Sequence, residues 1–307
     1  MAASLSVLVP TAISDDNLVS SNVPENEYVL WDPNATYPVG VRCRRTGTHR
    51  IFESQRAGNV GKDPALDVNQ AAPAPWWLDL TPTNRYAMFD GEVNTQTEVD
   101  QQLRVVLKPG AVTGIFGGGL DAELLSIIVT SPPGGEEVGR YQASLEDSAP
   151  DDWFEHFYEP YRPVTDFLVT GLEPYLSCQV EFVLSRASGV VKCGILSVGD
   201  LRPLGDTQFG ATAEPKSYSY VKTDEFGKTK IKRRKSAQDM TASAILPIAE
   251  ANGVLRTLNL VMGVPCVWIG TNLPNYSGLR SFGLGVGKLT YENSKEVNLT
   301  LTVQGMI

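Results

Sequence analysis

The only imidazoles in this 307-residue chain are His49 and His156, and histidine is the side chain that most often moves protons near neutral pH. His49 stands in the turn-rich stretch Thr46-Gly-Thr-His-Arg50, and His156 stands in Trp153-Phe-Glu-His-Phe157. Neither has a partner at the spacing of a metal motif such as H-E-x-x-H, so both are expected as surface or aromatic-packed rings. No G-x-S-x-G nucleophile elbow occurs. The run Gly114-Ile-Phe-Gly117-Gly118-Gly119 lacks the Lys-Ser/Thr pair of a phosphate loop and is expected to form a tight turn or bulge. Glu146-Asp147 and Asp151-Asp152 would serve a glycosidase only if two carboxylates faced each other across a cleft, and solvated pairs are the expectation. No catalytic residue, metal ligand or cofactor emerges, and the chain is expected not to be an enzyme.

Cys43, Cys178, Cys193 and Cys266 form no C-x-x-C pair, so free thiols are expected, with a Cys178–Cys193 bridge across adjacent strands as the alternative. The net charge of -9 argues against a general nucleic-acid surface, which needs clustered cations to displace counterions. One local cluster runs the other way: Lys228, Lys230, Lys232, Arg233, Arg234 and Lys235. On a strand Lys228, Lys230 and Lys232 share a face, and Lys222 joins them from the partner strand of a hairpin. That face is either a solvated edge that discourages unwanted pairing or a patch that docks on an acidic partner such as another copy of the chain, and docking is preferred.

These groups must be held by strands. Hydrophobic residues make up 42% and charged residues 20%, a globular balance, and most segments alternate with a period of two. Residues 1–29 read as an extended arm, either loose or laced onto a neighbour's sheet edge. Residues 30–91 hold Trp31, Tyr37, Phe52, Trp76, Trp77, Tyr86 and Phe89 and read as a small aromatic-cored module. Residues 92–204 read as an antiparallel β-sandwich of jelly-roll or galactose-binding type, with Ser126-Ile-Ile-Val-Thr130 buried on both faces. Residues 205–307 read as a C-terminal β domain containing the basic hairpin and one short helix, with Pro247 in its first turn and Leu255, Leu258 and Met262 on its inner face. The fold class is thus mainly β. No apolar run is long enough to span a bilayer, and the start lacks a basic leader region, so a cytoplasmically made protein without membrane insertion is expected.

The stretch Trp31-Asp-Pro-Asn-Ala-Thr-Tyr37-Pro-Val-Gly40, followed by His49-Arg-Ile-Phe52 and Trp76-Trp77, resembles small chitin-binding type carbohydrate modules. The continuation Leu78-Asp-Leu-Thr-Pro-Thr-Asn84-Arg-Tyr-Ala-Met-Phe89-Asp-Gly91 resembles a segment of tail-tip and baseplate proteins of tailed bacteriophages. The C-terminal part, in Asp224-Glu-Phe-Gly227, Pro265-Cys-Val-Trp268-Ile-Gly270 and the terminal Val-Gln-Gly-Met-Ile307, resembles distal-tail or upper-baseplate proteins. These resemblances imply a virion structural protein of the tail, assembled in the host cytoplasm as a ring-like homo-oligomer beside other tail proteins. They nominate Trp31, Tyr37, Trp76 and Trp77 as glycan-stacking rings, against the reading that these rings fill the module's own core, which is preferred in so small a unit. The alternatives for function are a carbohydrate-binding virion protein that contributes to host-surface adsorption and, behind it, a glycoside hydrolase.

Overall fold

The computed structural model describes residues 4–92, 94–146, 153, 163–223, 227–232, 236–273 and 276–306. It is mainly β, 55% strand and 9% helical, with helices α1 (Asp67–Gln70) and α2 (Ile248–Leu260) among the described residues. Among the described residues every pairing between named strands is antiparallel, which fits a sequence whose strands alternate rather than run continuously apolar.

Strand β1 (Ser4–Pro10) lies between β12 (Ile195–Thr207) and β17 (Cys266–Ile269). From β17 the ladder continues through β18 (Arg280–Thr290), β19 (Glu296–Gly305) and β16 (Ser236–Pro247). It returns to β12 at Asp206↔Ile245 and Thr207↔Ala244, closing a six-stranded barrel, and β13 (Thr212–Ser217) pairs with the first half of β16. Residues 4–10 are therefore a barrel strand of their own chain and not an arm; Leu5, Val7 and Leu8 are fully buried. The Leu-Ser-Val-Leu-Val alternation specifies a strand, but a period of two cannot say which sheet receives it.

The barrel interior is built from Val297, Leu299, Leu301 and Val303 of β19, from Met240, Ala242 and Ala244 of β16, and from Trp268. Trp268 Nε1 donates to the Gly283 carbonyl at 3.0 Å. The ring lies so close to β18 that a Cβ on Gly285 would fall 2.2 Å from it, and Leu258 of α2 occupies the space that a Cβ on Gly287 would need. Helix α2 starts directly after Pro247, which is its extended N-cap and not a residue of its first turn as expected, and Gly263 beyond its end has φ 75°. Its buried arc is Ala251, Val254, Leu258 and Val261. Leu255 and Met262 are 43% and 73% exposed, which corrects their expected placement: the inner face is turned about one residue toward Val254.

Strands β2 (Leu18–Ser21), β6 (Thr97–Gly110), β11 (Cys178–Cys193), β8 (Leu124–Ser131) and β9 (Glu136–Ser144) form one sandwich sheet in that order. Facing it are β10 (Asp166–Thr170), β7 (Gly114–Gly118) and the first half of β12. Leu103, Leu107, Val180 and Phe182 from one sheet pack against Ile115, Phe167, Leu196 and Val198 from the other. Two expectations change here. The glycine run is a buried strand, because Gly117 leaves room for the Phe167 ring, which a Cβ would meet at 2.2 Å. Strand β8 buries one face, through Leu125, Ile127 and Val129, while Ser126 and Ile128 stay half-buried. Cys178 and Cys193 stand at the two ends of the same strand, opposite Gly110 and Thr97 at the two ends of β6, and all four cysteines are free and buried, as expected of free thiols. The boundary expected at residues 204/205 falls inside β12, which serves both units.

The aromatic module is a sheet of β3 (Arg42–Arg45), β4 (Arg50–Ser54) and β5 (Trp77–Pro82), with α1 in the connection between β4 and β5. Its core is Tyr37, Cys43, Phe52 and Trp77. A separate hairpin pairs β14 (Tyr220–Thr223) with β15 (Thr229–Lys232).

Two measurements test this packing. Gly285→Ala should lower unfolding free energy by about 1–3 kcal/mol in urea denaturation, whereas Gly253→Ala, where a Cβ meets nothing within 4 Å, should raise it by about 0.5–1 kcal/mol. Burial pushes the Cys43 and Cys266 thiols up to about 12 and also raises Cys178 and Cys193. Ellman's reagent at about pH 8 should therefore find no fast-reacting thiol in the native protein and all four after denaturation.

Candidate functional site

Two surfaces gather the residues singled out in the sequence. On the aromatic module, Trp77 and Tyr37 are 1% and 4% exposed, so they are core residues and not a glycan platform. They meet edge-to-face at 5.1 Å, and Trp77 Nε1 donates to the Lys62 carbonyl at 2.6 Å. A three-stranded sheet buries too little aliphatic surface to hold together, so the rings that an isolated sequence offers to a sugar are spent on the interior. Trp31 and Trp76 are half-buried at the edge of this core. Their rings meet cations of the protein: Arg45 stands over Trp31 at 5.1 Å, and Arg56 and Lys62 over Trp76 at 5.1 and 5.5 Å. Arg45 is held there by a two-pronged pair with Asp63, both contacts at 3.0 Å, and this hydrogen-bonded guanidinium lowers the Asp63 carboxyl below its ordinary range.

The hairpin is the second surface. Cross-strand partners share a face, so Tyr220 with Lys232 and Lys222 with Lys230 form one side, and Val221 with Ile231 and Thr223 with Thr229 form the other. Every residue of both strands is exposed, and the pair joins no further strand among the described residues. Lys222, Lys230 and Lys232 thus share a face as expected, Lys228 precedes β15 in the turn region, and Arg233 and Arg234 lie outside the described residues.

Sequence reading missed a polar clasp that ties the module to the rest of the chain. His49 has φ 51° and stacks on Tyr86 at a centroid distance of 3.8 Å. Its Nδ1 is 2.9 Å from Glu25 Oε1 and its Nε2 is 3.1 Å from Asp15 Oδ2. Tyr86 donates to Asp15 at 2.8 Å, Thr83 donates to Glu25 at 2.9 Å, and Arg85 lies 3.6 Å from Glu25. The Tyr86 hydrogen bond lowers the Asp15 carboxyl, while burial first and Asp15 second raise the Tyr86 phenol. Both imidazole nitrogens are engaged, so the cluster holds position rather than offering a free base; the aromatic-packed expectation for His49 is met, and His156 lies outside the described residues. Separations of 24 to 71 residues between these partners left no local signal to find. Among the described residues no group of three or more His, Cys, Asp or Glu could hold a metal ion.

The run Trp76 to Gly91 crosses all of this. Trp77 belongs to the module core, Tyr86 to the clasp and Met88 to the sandwich core, and Gly91, at φ 81°, passes Pro265 of the barrel. Tyr86→Phe should lower stability by about 0.5–1.5 kcal/mol, and His49→Ala should speed amide hydrogen exchange in residues 12–28 and 83–89 while leaving β19 protected. Scanned against protein-family models, curated proteins and solved structures, the chain matches none.

Proposed function

We propose that this chain is a non-enzymatic structural subunit of a bacteriophage tail tip or baseplate, which assembles as a homo-oligomer and joins the tail tube to tip or host-recognition proteins in the virion. The observation that carries the assembly reading is the hairpin of β14 and β15. A two-stranded hairpin alone is marginal in water, and here the Val221 and Ile231 side chains face solvent, so a partner surface that covers them stabilises it. Lys222, Lys230 and Lys232 on the opposite side favour an acidic partner, and a chain of net charge -9 supplies one in its own copies. The attribution to a phage tail rests on the Trp76 to Gly91 segment and the C-terminal resemblance, and the closed barrel with its packed helix suits a rigid building block.

Size-exclusion chromatography with light scattering on the full chain tests the reading. The wild type should form a closed oligomer at ~0.1 M salt that dissociates at ~1 M, and the triple change Lys222→Glu, Lys230→Glu, Lys232→Glu should weaken association at least ~10-fold with the circular dichroism spectrum unchanged. A wild type that stays monomeric at every concentration, or a triple variant that assembles normally, removes the basis for it.

A further inference from the structure

A cleft of about 470 Å³ opens where the aromatic module meets the sandwich, within the ~300–1,000 Å³ typical of small-ligand sites. Its apolar lining is Ile51, Pro82 and Ala87, and Tyr28 stands beside them, 36% exposed. The polar lining is neutral but for one carboxylate: Thr81, Asn84, Asn94, Thr95 and Gln96 carry hydroxyls and carboxamides, and Glu27 carries the charge. No Lys or Arg lines it.

The lining is held in place. The Asn84 backbone N–H donates to Glu27, and the Asn84 side chain is fixed both ways on the Glu98 backbone, donating at 2.8 Å and accepting at 2.8 Å. The Thr95 hydroxyl donates to Asp90. Arg42 donates to the Tyr28 hydroxyl at 3.2 Å and stands 5.9 Å from the ring centre. Three polar groups are left over. Among the described residues the Thr81 hydroxyl, Gln96 Oε1 and the second oxygen of Glu27 make no hydrogen bond.

We infer that this cleft binds a neutral sugar unit. A pyranose presents an apolar C–H face and a rim of hydroxyls that both donate and accept, and the cleft offers an apolar floor beside groups that do the same. A purely apolar ligand would desolvate Thr81, Gln96 and Glu27 without compensation. An anionic ligand, a uronic acid or a phosphate, would meet Glu27, while Arg42 beside Tyr28 is already paired with Glu53 at 2.9 Å. The rings nominated from sequence, Trp31, Trp76, Tyr37 and Trp77, take no part, and the inference does not rest on the assembly reading.

Saturation-transfer NMR on the full chain, with glucose, galactose, N-acetylglucosamine and rhamnose as probes and glucuronate as the anionic control, tests it. At least one neutral sugar should bind with a dissociation constant on the order of millimolar, and glucuronate should bind at least ~10-fold more weakly unless Glu27 is changed to Gln. Thr81→Val and Gln96→Ala, both at the surface of the cleft, should each weaken binding by about 5–10-fold, and Trp76→Ala should leave it unchanged. The lysine-to-glutamate hairpin variant should bind as the wild type does, so failure of assembly and failure of this site are separate results. No transfer from any of the four sugars overturns the inference, as does binding that survives Thr81→Val and Gln96→Ala or disappears with Trp76→Ala in a variant that keeps its near-ultraviolet circular dichroism.

Discussion

Strand β12 is the constraint on which the rest of the molecule depends. Its residues pair in turn with β7, β1 and β16, and one face of it sends Leu196 and Val198 into the sandwich core and Leu204 into the barrel core. Two hydrophobic cores therefore share one backbone, and neither can shift register without exposing the apolar set of the other. Gly205 makes this passage feasible: it sits at φ 134°, and a Cβ there would fall 2.8 Å from the Ile245 carbonyl oxygen, at the point where β12 reaches β16 and the barrel closes.

The opposite face of the same sheet carries Leu8, Phe116, Ile195, Val267 and Ile269, all buried, with Phe116 and Phe282 stacked at 6.4 Å. The sheet is thus apolar on both sides in its middle, as a strand shared between layers must be. The aromatic module is attached differently. It keeps its own small core and is joined to the sandwich and the N-terminal connector through charge-assisted hydrogen bonds around His49, Asp15 and Glu25. Such contacts are directional and tolerate water nearby, so a cleft with polar walls can persist beside them, where an apolar interface would have closed. The hairpin proposed for assembly and the cleft inferred to take a sugar lie on separate parts of the chain, β14 and β15 in one case and residues 27–28, 51, 81–87 and 94–96 in the other.

The class of the fold and several strands were legible in the residues themselves. Val297, Leu299, Leu301 and Val303 face inward as their alternation implies, the hairpin pairs Lys222 with Lys230, and Pro247 and Gly263 bracket the helix. The helix face was only partly read, because Leu258 belongs to the buried arc while Leu255 and Met262 lie just outside it, where one residue of rotation decides burial.

Local periodicity determined which of several segments of this chain are strands and that a cluster of basic residues falls on one hairpin, because those properties depend on neighbours in sequence. Only the tertiary structure decided that residues 4–10 close the barrel, that Trp77 and Tyr37 are interior, and that Tyr28, Thr81 and Gln96 line one cleft. A strand edge, an aromatic ring and a carboxamide are each satisfied equally well by many partners, and the choice among them is made by packing over separations of tens to hundreds of residues.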